Sequence, residues 1–213
     1  IKRAFASCLD ARVVVYKRKH GFDVTSPNIA VVVQKQVASD VAGVGFSINP
    51  VSNDFDEAIL NASWGLGESV VAGLVSPDSY LVDKVKMAIT TRQIGHKETA
   101  IWLTPDGGTE ERADPRHDQP SLSDEQALRV TAELKRIDAI YGKPMDIEFA
   151  FEGGELYLLQ ARPITSYVPL AEPMLTAPGE PRRLYVDLSI SVQGLLDPMS
   201  VMATSVLQRL MRR

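Results

Sequence analysis

The sequence has little of what marks several protein classes. It carries a single cysteine, Cys8, so no internal disulfide can form, and with so few cysteines no metal site of zinc type is expected. No apolar run approaches the ~18 residues of a membrane span, and neither a membrane span nor a secretion signal is expected. There is no basic stripe, and the net charge of −4 argues against general nucleic-acid binding. Internal repeats and low-complexity tracts are also missing. The expected setting is reducing and cytoplasmic, with neither nucleic acid nor membrane as partner. What is present is ordinary for a globular chain: 45% hydrophobic and 23% charged over 213 residues. That suffices for one large domain, or one domain with an appendage. The chain opens without Met inside a helical pattern and ends "LQRLMRR" with no closing signal, so a piece of a longer polypeptide is expected.

Periodicity places the elements. Ile1, Phe5, Cys8, Leu9, Val13 and Tyr16 predict a helix to about His20, stopped by Gly21. "IAVVVQKQV" (Ile29–Val37) reads as a buried strand, "GVGFSINPV" as a second and "EAILNAS" as a third. A glycine loop, a short helix and a strand from about Ser79 follow in "WGLGESVVAGLVSPDSYLVD". Val85, Met87 and Ile89 alternate, and "TAIWLTPDGGT" is a strand running into a turn. Ser123 and Gln126 form a capping box for a helix that buries Val130, Leu134, Ile137 and Tyr141 and stops at Gly142 and Pro144. Prolines 163, 169, 173, 178 and 181 mark a linker. "RRLYVDLSI" reads as a strand, and Asp197 and Pro198 cap a last helix with Met199, Met202, Val206 and Leu210 on one face. The fold class is α+β with hairpin-type connections.

One hairpin concentrates the chemistry. In "DIEFAFEGGELYLLQARPIT" (Asp146 to Thr165), Asp146, Glu148, Gln160 and Arg162 interrupt two strand-like runs. A strict two-residue loop at Gly153-Gly154 pairs Glu148 with Leu159 and turns Gln160 to the apolar face. A three-residue loop, or one bulge, pairs Glu148 with Gln160 and Asp146 with Arg162. It also sets Tyr157, Leu159 and Ala161 beside Ile147, Phe149 and Phe151, and this register packs better. A glutamate opposite an amide oxygen suits Mg²⁺, which takes oxygen ligands and completes its shell with phosphate and water. An arginine two residues away can neutralise a phosphoryl group. The competing reading is a solvated face with cross-strand ion pairs, and this stretch alone does not separate the two.

The stretch "MDIEFAFEGGELYLLQARPIT" resembles the end of the ATP-grasp nucleotide domain of phosphoenolpyruvate synthase, pyruvate phosphate dikinase and rifampicin phosphotransferase. The resemblance extends in family order over "VVVQKQV", "VAGVGFSINPV" and "NASWGLGESVVAGLVSPDSYLV", roughly Ile1 to Ser166. It implies an ATP-grasp C-terminal lobe at 1–166, with a mostly antiparallel mixed sheet, packed helices, a proline-rich linker and a C-terminal helical segment. Residues 167–213 would be that linker and the start of a following segment. "RRLYVDLSIS" is more similar to the rifampicin phosphotransferase group. The resemblance further implies ATP and Mg²⁺ as ligands. Glu148 and Gln160 match the metal and nucleotide ligands, Arg162 the phosphate-contacting arginine, and Asp146 the aspartate beside them. Gln34 matches the adenine pocket, and Glu68 of "GLGES" the motif bordering the site.

In such an enzyme a histidine on a swivelling domain attacks the β-phosphate of ATP. AMP and phosphate are released, and the phosphoryl group passes to pyruvate or another small hydroxyl acceptor. The first lobe of the nucleotide site would lie before Ile1, and the carrier histidine on a later domain. His20, His96 and His117 lack its T-H-x-A-type context and read as surface positions. Lys17 stands where relatives commonly have arginine, and Gln36 where methionine is common. Gly65-Leu66-Gly67 is not a dinucleotide fingerprint, and Trp64 and Trp102 read as core or rim aromatics. Two rival functions are an ATP-grasp ligase making an acyl phosphate and a nucleotide-binding module without turnover.

Overall fold

In Met145–Glu152, Met145, Ile147, Phe149 and Phe151 are buried on one face, while Asp146 and Glu148 on the other are half-buried. This period of two fixes the strand and decides which face meets the core. In the computed structural model, residues 1–19, 21–25, 29–170, 172–174 and 209 are described. The chain divides into two compact units, Ile1–Tyr167 and Val168–Arg213.

The first unit is built on a six-stranded antiparallel sheet of order β4-β3-β2-β1-β7-β8. Its strands are β1 (Val41–Phe46), β2 (Glu57–Trp64), β3 (Asp78–Asp83), β4 (Ala88–Gln93), β7 (Met145–Glu152) and β8 (Glu155–Pro163). A separate ribbon pairs β5 (Thr99–Leu103) with β6 (Thr109–Ala113). The helices are α1 (Lys2–Ala6), α2 (Ala11–Lys19), α3 (Glu68–Val71) and α4 (Asp124–Tyr141). The expected α+β class with an antiparallel sheet is what is observed.

Helix α4 covers one face of the sheet. Ser123 Oγ accepts from Gln126 N while Gln126 Oε1 accepts from Ser123 N, so the expected capping box is formed. Gly142 closes the helix in the left-handed region. Val130, Leu134 and Ile137 pack with Leu60, Tyr80, Val82, Ile147 and Phe149 in the core. Tyr141, expected in that stripe, is exposed. Glycine lets the sheet approach: a Cβ on Gly43 would lie 2.1 Å from the Asn61 carbonyl oxygen, and one on Gly45 3.1 Å from Leu134 Cδ1. The Tyr80 hydroxyl donates to Leu122 O and accepts from Leu122 N, both at 3.2 Å, just before α4. Burial pushes its pKa up to about 12.

Several expectations are corrected. The N-terminal helix is broken: α1 passes into a 3₁₀ turn at Ser7–Leu9, Asp10 is extended, and α2 follows, with no residue of the three pieces buried. Ile29–Val37 forms no strand, and Val32 and Val33 are 84% and 76% exposed. A β-branched run becomes a strand only where a neighbour completes its ladder. The second expected strand starts at Val41 and stops at Phe46. Val85 and Met87 lie in a turn, because Asp83 Oδ1 accepts from Val85 N and Lys86 N and reverses the chain there. In the second unit Glu172–Met174 form a 3₁₀ turn. The strand expected at "RRLYVDLSI" and the helix expected after Asp197 and Pro198 lie outside the described residues.

Candidate functional site

The β7–β8 hairpin satisfies both geometric rules that the sequence set against each other. Glu152 pairs with Glu155, so Gly153-Gly154 is a strict two-residue loop, and both glycines have positive φ. The ladder then shifts between Glu148 and Phe149: Phe149 pairs with Leu158, Glu148 with Gln160, and Leu159 is the extra residue. Glu148–Gln160 and Asp146–Arg162 are therefore the cross-strand pairs expected. Of the apolar partners, Ala161 pairs with Ile147 as expected, but Leu158 and Leu156 stand opposite Phe149 and Phe151 in place of Leu159 and Tyr157. Leu156 and Ala161 pack against the core, whereas Tyr157 pairs with Ala150 and Leu159 faces the cleft.

Charge organises this face. Arg162 Nε donates to Asp146 Oδ2 at 3.0 Å, and Arg162 Nη2 lies 3.9 Å from Glu148 Oε1. Asp146 is only 15% exposed, and its Oδ1 is buried with no hydrogen-bond partner among the described residues. A buried carboxylate oxygen in that state lacks a hydrogen-bond donor.

A cleft of about 430 Å³ brings Gln34, Glu68, Glu148 and Gln160 together. Arg162 and Asp146 adjoin it through Glu148 but do not line it. The glycine loop sets Glu68. Gly65 has φ +75, Gly65 N donates to Asp40 O at 2.9 Å, and Leu66 N donates to Ile101 O at 2.8 Å. A Cβ on Gly65 would lie 2.3 Å from the Ile101 oxygen, so only glycine brings the chain this close. Lys35 and Thr109 also line the cleft and were not singled out in the sequence. A strand would turn Lys35 away from Gln34; the irregular backbone lets both reach the same space. No periodicity signals that.

Near the loop, Arg116 stacks over Trp64 at 3.9 Å, and Trp64 Nε1 donates to Arg116 O at 3.1 Å. Arg116 bonds Asp114 through Nε and Nη2 at 2.9 and 2.7 Å. That fork holds the Asp114 carboxyl below its usual range. Trp64 is a packed rim aromatic.

Comparison with known proteins assigns this arrangement a class. Residues 1–173 match the family described as pyruvate phosphate dikinase, AMP/ATP-binding domain. The sheet and cleft thus lie in an AMP/ATP-binding domain. The chain belongs to the pyruvate phosphate dikinase family of such domains. It is 41% identical over 168 residues to the probable phosphoenolpyruvate synthase of Methanocaldococcus jannaschii, covering 78% of this chain and 14% of that protein. It is 40% identical over 176 residues to the phosphoenolpyruvate synthase of Pyrococcus furiosus, covering 78% and 22%. With the rifampicin phosphotransferase of Streptomyces sviceus it shares 34% over 211 residues, covering 98% of this chain and 24% of the relative. The chain thus spans a quarter or less of the length of these relatives. No helix among the described residues is long and apolar enough to cross a membrane.

Proposed function

We propose that this chain supplies the C-terminal lobe of an ATP-grasp nucleotide domain, residues 1–166, in a phosphoenolpyruvate synthase-like dikinase. The observation that carries the reading is the direct pairing of Glu148 with Gln160 beside Gln34 and Glu68 on one cleft. Residues 167–213 are then a linker and the start of a following segment.

Glu148 and Gln160 are the groups that would hold Mg²⁺. A carboxylate beside an amide oxygen suits a hard cation, and the unpartnered Asp146 Oδ1 adds a further acceptor close by. When bound, the cation neutralises phosphate charge. Gln34 hydrogen-bonds the adenine edge, and Glu68 borders the nucleotide. Asp146 orients the Arg162 guanidinium, which meets a transferring phosphoryl group with its planar fork. Catalysis by this lobe is positioning and charge stabilisation.

In the parent enzyme a histidine nitrogen on a swivelling domain attacks the β-phosphorus, and the bond to AMP breaks. Water then removes the terminal phosphoryl group as phosphate. The remaining phosphohistidine passes its group to pyruvate or to another hydroxyl acceptor. The cytoplasm, where ATP is abundant, is the compartment this implies. The alignment with a rifampicin phosphotransferase through 98% of the chain favours a hydroxyl acceptor of that kind. The higher identity to phosphoenolpyruvate synthases favours pyruvate. The test is the parent enzyme with ATP and each acceptor, resolving AMP from ADP. AMP with phosphate is expected. ADP would assign an acyl-phosphate ligase instead, and nucleotide binding without turnover a non-catalytic module. The 213-residue chain alone should fold yet make AMP far below the rate of a complete kinase.

A further inference from the structure

His96 lies between β4 and β5, and His117 and Asp118 lie between β6 and α4. His96 and Asp118 are 22 positions apart in sequence, yet the three side chains meet. The two imidazole centroids are 4.9 Å apart, edge to face. Asp118 Oδ1 is 2.7 Å from His96 Nδ1, and Oδ2 is 2.9 Å from His117 Nδ1. The first contact is a hydrogen bond. The second is close but misaligned: His117 Nδ1 is buried and makes no hydrogen bond among the described residues. A buried ring nitrogen in that state is costly unless something else engages it.

A buried network holds the two connections together. Lys97, next to His96, is fully buried and pairs with the equally buried Asp78. The second Asp78 oxygen accepts from both Ser121 N and Ser121 Oγ at 2.6 Å. Lys97 N donates to His117 O at 3.0 Å. The backbone carrying each histidine is thus fixed relative to the other, which is the support a preorganised site needs.

We propose that His96, His117 and Asp118 bind one divalent transition metal of zinc type, through one nitrogen of each ring and one carboxylate oxygen, with water completing the shell. Those three ligand atoms already lie within 4.8 Å of one another. Ligands held at about 2 Å from one zinc ion are up to about 4 Å apart, so small rotations of the exposed His96 and Asp118 side chains close the set. Two imidazoles with a carboxylate favour a borderline metal over Mg²⁺, which separates this site from the Glu148–Gln160 pair. The scarcity of cysteine excludes thiolate ligands only; imidazole ligation needs none.

The experiment is a Zn²⁺ titration of the metal-free 213-residue chain in excess Mg²⁺, by calorimetry and by imidazole ¹H–¹⁵N spectra. The expected result is one equivalent bound, with the ring signals of His96 and His117 shifting and those of His20 unmoved. His96→Ala and the near-isosteric Asp118→Asn should each weaken binding at least tenfold while the circular dichroism spectrum is retained. Absence of saturable binding, variants that bind like the parent, or shifts confined to His20 would overturn the proposal.

Discussion

Glu148 and Gln160 face each other across β7 and β8 although the loop joining those strands is only two residues long. Leu159 reconciles the two, as one residue of bulge between the turn and the polar pairs. Deleting Leu159 should therefore give an unbroken ladder that still pairs Glu148 with Gln160 and Asp146 with Arg162. Hydrogen exchange tests it: amides of 160–162 should stay protected in the deletion variant. Their loss of protection would show that the bulge is needed for the pairing itself.

Glu148→Ala and Gln160→Ala should each abolish Mg²⁺- and ATP-dependent phosphorylation of the carrier histidine in the parent enzyme. Neither side chain belongs to the hydrophobic core, so stability should change by no more than about 0.5 kcal/mol. Unfolding with normal residual catalysis would make these groups structural.

Arg162→Lys separates charge from shape. The guanidinium is 57% exposed and bonded to Asp146 through Nε, so replacement leaves the fold intact. An ammonium keeps the charge but not the fork, and much of the turnover rate should be lost. A variant as fast as the parent would show that charge alone suffices.

Gly65→Ala should act on fold and site together. The new Cβ would meet the Ile101 oxygen at 2.3 Å on a residue with φ +75. We expect destabilisation of about 2 kcal/mol or more by chemical denaturation, with weakened nucleotide binding because Leu66 and Glu68 shift.

The Asp114–Arg116 fork makes an acid-dependent contribution. The Asp114 pKa in the folded state lies below the ordinary carboxylate value of 3.8. Its stabilisation is therefore fully present above that value and lost as pH falls through the folded pKa. Asp114→Asn should lower the melting temperature at pH 7 and lower it less at pH 2, because below 3.8 protonation begins to remove the same contribution from the parent. An equal loss at both pH values would assign the effect to packing.

Local signals in the sequence carried much of the fold. Ser123, Gln126 and Gly142 define α4 because caps and the left-handed stop are decided by neighbouring residues. The polar pairs of the hairpin were legible because the packing of Ile147, Phe149 and Phe151 restricts the register. The bulge at Leu159 was legible only as one of two ways to reach it. Where partners are distant, the reading failed. Ile29–Val33 has the composition of a buried strand but no ladder partner among the described residues. Strand β6, "TEERA", is exposed throughout and shows no alternation to detect. Lys35 reaches the cleft through irregular backbone, and His96 meets His117 through a network anchored on Asp78.

The bare valines at 32 and 33 also govern how this polypeptide behaves when concentrated. A β-branched run with no strand partner among the described residues is a template for the same run in a second copy. Each copy that adds leaves another free edge, so such pairing has no natural end point. A neighbour laid over residues 29–33 would therefore act as a solubiliser as much as a structural partner. A charged residue in place of Val32 would do the same for the chain by itself.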